Sequence, residues 1–155
     1  MTPKKLFNLF AKCEAVTWTL LISALLLRAV AVDPILVTLA GGTHGAIFLG
    51  YAVAALLVGI NQRWGFGLTA LAMALAIVPF ATIPLEQKLN SGSKLLGDWR
   101  KNSSDDPRDK FWIDQLFRWF ISRPVFLILV LIVSLTAIFA FLLLLGPPDQ
   151  WFRDN

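Results

Sequence analysis

The sequence predicts an all-α, polytopic membrane protein with four transmembrane helices and one interfacial amphipathic helix. Three observations predict it. Of 155 residues, 57% are hydrophobic and 15% charged, whereas a soluble domain averages about a quarter charged. The apolar residues gather in runs that approach or reach the roughly 20 helical residues needed to cross a bilayer. The Lys and Arg behind the net charge of +4 sit in short flanks between those runs, as membrane proteins place them. That placement argues against a nucleic-acid partner despite a pI near 9.6. The single cysteine, Cys13, excludes an intramolecular disulfide and a cysteine-based metal cluster.

Met1–Lys12 carries Lys4, Lys5 and Lys12 among Leu6, Phe7, Leu9 and Phe10, an amphipathic segment suited to the headgroup layer. The first span runs from about Ala15 to Val32. It is longer than a usual secretory signal core and contains Arg28, which reads as a retained span with an arginine reaching for the interface. Asp33-Pro34 opens a loop, and Ala40–Ile60 is the second span. Its Gly41, Gly42, Gly45 and Gly50 leave a helix face without side chains, against which other helices pack closely. This helix is the expected hub. Asn61–Gly65 makes a tight turn into a third span, Phe66–Leu85, kinked at Pro79 and leaving at Pro84.

From Glu86 to Arg123 the chain turns polar. Asp106-Pro107 reads as an N-cap followed by proline at the first helical position. Over Phe111–Ser122, Asp114, Gln115, Arg118 and Ser122 share one side and Trp112, Ile113, Leu116, Phe117, Trp119, Phe120 and Ile121 the other. This is the interfacial helix, with Trp112, Leu116, Phe117 and Phe120 as its membrane- or partner-docking residues. Pro124–Leu145 is the fourth span, stopped by Gly146-Pro147-Pro148. Trp18, Trp64, Trp112, Trp119 and Trp151 fall near predicted span ends, as an aromatic belt would. Residues 1–90 therefore form a three-span core, 91–123 a polar loop with the interfacial helix, and 124–155 the last span and tail. Four spans put both termini on one side and the long loop on the other.

Ionisable groups at membrane depth face a bundle interior or a cavity. An up-down-up path places Arg28, His44 and Glu86 at one membrane face as a polar cluster, either packing helices together or binding a proton or ligand. Glu14, at the other face, is level with Arg63 and is expected to pair with it. One histidine without a second histidine or a usefully spaced thiolate makes a poor haem or copper site, so no metal or cofactor is expected. The hydrolase and nucleotide-loop motifs are absent from the sequence, and a non-enzymatic role follows.

The stretches AKCEAVTWTLLISALLLR, GGTHGAIFLGYAVAALL, QRWGF and IVPFATIPLEQKL resemble a family of small bacterial integral membrane proteins of unknown function. Glu14, Gly42, Gly45, Phe48, Tyr51, Arg63, Trp64, Pro79, Phe80 and Glu86 fall on its pattern. Ala15 stands where glycine is frequent and Glu86 where aspartate is usual. The resemblance covers about Phe10–Leu89 and implies a shared membrane fold without an established activity. The expected role is a non-catalytic accessory or assembly subunit, with the bilayer and other membrane subunits as partners. By analogy with small polytopic association factors, the named assembly is an actinobacterial cytochrome bc–oxidase supercomplex. The alternative is a small-molecule or proton-coupled transporter working through Arg28, His44 and Glu86.

Overall fold

The computed structural model describes residues 1–30 and 35–144, and these are all-helical apart from turns and loops. Two helices, Pro3–Ala29 (α1) and Ile35–Asn61 (α2), are each 27 residues long and apolar enough to cross a membrane. At 1.5 Å per residue each is about 40 Å long. A third candidate is the bent pair Trp112–Ile121 (α5) and Pro124–Leu144 (α6), whose axes turn through 104°. The chain is thus a polytopic helical membrane protein. The Asp33-Pro34 loop, the Gly146-Pro147-Pro148 stop and Trp151 lie outside the described residues.

α1 begins twelve residues before the predicted first span, and Met1–Lys12 is not a separate surface segment. Thr2 caps the helix, its hydroxyl accepting from the Lys5 amide, and Pro3 follows at the first position, where its missing N–H costs nothing. Phe7, Ala11, Glu14 and Trp18 then recur at helical spacing on one face; Phe7, Ala11 and Glu14 are buried. Trp18 stands in the middle of the helix, not at an interface, and its indole donates to the Ala76 carbonyl (3.2 Å).

α2 lies antiparallel to α1 and touches α1, the third helix and α5. Its glycines divide by position. A Cβ on Gly50 would collide with the Phe10 ring, and one on Gly59 would lie 2.7 Å from Thr69 Oγ1. Gly41 makes only ordinary contact with Leu21, nothing stands near a Cβ on Gly42, and Gly45 is half-buried. Close packing is thus seen at Gly50 and Gly59, in the C-terminal half of α2, and not at Gly41 or Gly42.

The predicted third span is two short helices. Phe66–Ala74 (α3) runs on through a 3₁₀ turn, Leu75–Ile77, and the chain breaks before Thr82–Ser91 (α4). Val78 is extended (φ −99°, ψ 121°), as a residue before proline must be. Pro79 cannot donate to the preceding turn, and Phe80 takes φ +63°. The chain then reverses. Leu68 and Leu71 of α3 lie beside Leu85, Leu89 and Gly92. The Trp64 indole before α3 donates to the Lys94 carbonyl after α4 (3.0 Å). Ala76 is level with Trp18, and Thr82 donates to the Ala11 carbonyl (3.3 Å). So α3 rises to about half the height of α1 and α4 returns to the end it left. Pro84 sits inside α4 rather than at its exit.

That return corrects the expected sidedness as well. The N-terminus, the α2–α3 turn and the polar loop share one end of the bundle, here called the base. Trp99 donates from the loop to the Met1 carbonyl (2.8 Å), and Arg100 donates to the carbonyls of Ile60 and Asn61 (both 2.7 Å). α6 climbs from the base alongside Leu6, Phe10, Leu57 and Gly50. Apart from its junction with α5, it packs only loosely.

Candidate functional site

Two groups of polar side chains stand out, one within the helices and one at the base. The inner group lies level with the hairpin turn. α1 presents Glu14, Thr17 and Trp18, and α2 presents His44, Phe48 and Tyr51, each at spacings of three or four that keep one face toward the partner helix. Thr17 Oγ1 donates to the Glu14 carbonyl (3.1 Å) and lies 3.1 Å from His44 Nδ1. A hydroxyl has one proton. With that proton on the carbonyl, the imidazole donates from Nδ1, leaving Nε2 as the acceptor. The ring is wedged between Trp18 and Phe48, centroids 4.5 and 6.3 Å away.

Glu14 and Tyr51 are both 0% exposed. Among the described residues, neither oxygen of the Glu14 carboxyl has a hydrogen-bond partner, nor has the Tyr51 hydroxyl, which lies within electrostatic reach of that carboxyl. Buried polar atoms are nearly always paired. A carboxyl without a partner inside a helical membrane bundle is therefore the most unusual chemical feature of this fold. It can take up a proton or pass one on.

The expected cluster of Arg28, His44 and Glu86 is not assembled. His44 is level with Thr17, and Arg28 is eleven residues further along α1, roughly 16 Å away at helical rise. Arg28 is exposed. Glu86 is buried on α4, nearer the base, and accepts from Asn90 Nδ2. The up-down-up path failed because α3 and α4 are a hairpin. Nor does Glu14 meet Arg63, which sits at the base in the left-handed region (φ 53°) and pairs with Asp106 and Asp109.

That base is an ionic clamp centred on Asp109, whose side chain is 2% exposed. Asp109 Oδ1 accepts from Arg63 (2.7 Å) and Arg100 (3.0 Å) and pairs with Arg118 (3.1 Å), while Oδ2 accepts from the Ser104 amide and hydroxyl (both 2.6 Å). The Ser104 hydrogen bonds, then the arginine, hold its carboxyl well below the ordinary range. Arg108, bonding through its side chain and amide, likewise holds Asp106 down at about 2. Arg100 also pairs with Asp114 (2.7 Å), so the polar side of α5 faces this clamp rather than the headgroups. Phe117 is buried under Arg100 and is not a docking residue. Trp112 and Leu116 remain exposed, while Phe120 is half-buried and stacked on Phe126. The predicted cap at Asp106 is present, but it starts a single 3₁₀ turn, Pro107–Lys110.

Among the described residues, no group of three His, Cys, Asp or Glu side chains is placed to hold a metal. Residues 4–91 match the family described as "Domain of unknown function (DUF3817)". The chain therefore belongs to this family, and the matched residues take in most of α1 together with α2, α3 and α4. No curated protein and no solved structure matches it.

Proposed function

We propose that this protein is a non-catalytic subunit of a larger membrane assembly, docked through the turn of the α3–α4 hairpin. The reading assumes that α1, α2 and α6 cross the bilayer while the hairpin enters from the base and returns. One observation carries it. The non-helical turn stands about half-way along α1, and Ile77, Val78 and Phe80 there are 65, 51 and 44% exposed. Irregular backbone at membrane depth is tolerated only where protein covers it or it lines a cavity. A neighbouring transmembrane subunit is the cover that suits this apolar tip. Nearly all the described lysines and arginines lie toward the base, Lys4, Lys5, Lys94, Lys101, Lys110 and Arg123 among them, with Arg28 at the far end. That asymmetry favours a cytoplasmic base in the cell membrane.

The test is photo-crosslinking in native membranes from position 80, with position 133 on exposed α6 as the control. A discrete adduct with another transmembrane polypeptide from position 80 alone is expected. Lipid adducts alone from position 80 would end the proposal. A respiratory cytochrome bc–oxidase assembly is the complex to look for first by mild detergent extraction and mass spectrometry.

Glu14 favours a second reading, because a partnerless carboxyl beside Tyr51 and one turn from Thr17–His44 is the equipment of a proton relay. Proton uptake by vesicles holding wild type but not Glu14→Gln would favour it.

A further inference from the structure

We infer that the crevice between α6 and the α1–α2 pair is a binding site for one anionic phospholipid. Two cavities there are continuous, for Leu6, Leu57, Leu127 and Ile128 line both. The deeper has a volume of about 280 Å³ and runs along α6 from Leu127 to Leu135. Its walls are almost wholly apolar, so water gains nothing there. Eight residues of helix span ~12 Å, and an apolar cavity of that length between α6 and the α1–α2 pair fits an extended hydrocarbon chain.

The shallower cavity, about 330 Å³, opens at the base beside Trp99 and Lys101. It thus joins an apolar shaft to a mouth with a cation and an aromatic ring, the two halves of an acidic phospholipid. Lys101 is exposed and stands outside the Asp109 clamp, so its ammonium can meet a phosphate as a point charge. This face of the α1–α2 pair is separate from the one α4 covers, so the site does not depend on what docks at the hairpin.

The full chain, reconstituted with equal phosphatidylglycerol and phosphatidylcholine, is extracted in mild detergent and weighed intact. One retained phospholipid per chain is expected, with phosphatidylglycerol preferred several-fold. Leu131→Trp, or Ile128→Phe if the first variant folds poorly, should abolish retention while melting stays close to wild type. Lys101→Gln should keep a lipid and lose the preference. No retained lipid on wild type, retention unchanged in folded crevice-filled variants, or equal retention of both lipids by wild type would overturn the proposal. So would a protein adduct formed by photo-crosslinking from position 131.

Discussion

Two buried carboxylates in this molecule have opposite surroundings. Asp109 at the base meets three arginines and the amide and hydroxyl of Ser104. Glu14, in the middle of α1, meets no hydrogen-bond donor among the described residues. The clamp has a plain structural purpose: it ties the polar loop to the end of α2 and holds α5 across the base. Through Arg100 one guanidinium joins the last carbonyls of α2, Asp109 and Asp114. Among the described residues, nothing hydrogen-bonds to the Glu14 carboxyl. A carboxyl buried without a donor is poised for a proton rather than for holding the fold together.

The largest expected effect comes from breaking the clamp. Asp109→Ala leaves Arg63, Arg100 and Arg118 crowded without their shared counter-charge, and removing one member of a buried ionic set is far worse than never having it. Melting in detergent should fall on the order of 10 °C or more. Protease should cut first in 101–106, the loop the clamp holds. A loss no larger than that of an exposed substitution such as Lys110→Ala would mean the clamp follows the fold rather than fixing it.

Acid should loosen the same region more gently. Asp106 is held at about 2 against an ordinary 3.8. A carboxylate depressed in the folded state contributes stability in full above its unfolded value and loses it as pH falls through the folded one. Stability should therefore hold down to about pH 4 and decline between there and pH 2. The decline should be shallower in Asp106→Asn; equal slopes would assign the acid sensitivity elsewhere.

The sequence made some of this plain and hid the rest for identifiable reasons. Composition and apolar runs are properties of long segments, so the helical membrane class and the α1–α2 pair were legible. Pro79 was legible as an interruption, but not as a reversal. A kinked span and a returning hairpin share the same apolar letters, and only tertiary contacts such as Trp64 with Lys94 decide between them. With α4 returning to the base, Glu86 stands away from both Arg28 and His44, so the cluster that an up-down-up path predicts does not form. Glu14 departs from its expected place for a simpler reason. Starting the first span at Ala15 left it at an interface, although Thr2-Pro3 is a helix-start signal and Phe7, Ala11, Glu14 and Trp18 keep a 4-3-4 spacing. The clamp was beyond sequence reasoning, since Arg63, Arg100, Asp109 and Arg118 meet only through the folded loop. The capping signal at Asp106 marked its edge.

The smallest expected effect, and the one that sharpens the contrast most, is that of Glu14→Gln on the isolated protein. Glutamine keeps the shape of the side chain and removes its capacity to ionise. Since neither carboxyl oxygen receives a bond here, no donor is stranded by the change, and stranding a partner is what makes buried polar substitutions costly. Melting should move by no more than about 2 °C, the range of a substitution that breaks nothing. Asp109→Asn, equally conservative in shape, should move it several times as far because three guanidinium groups lose a charge. In the cell membrane the order can reverse. If Glu14 relays protons, Glu14→Gln leaves recovery of the assembled complex unchanged and lowers proton uptake. Should Glu14→Gln unfold the free chain as readily as Asp109→Ala does, Glu14 has a structural duty inside the bundle, and the proton-relay reading fails.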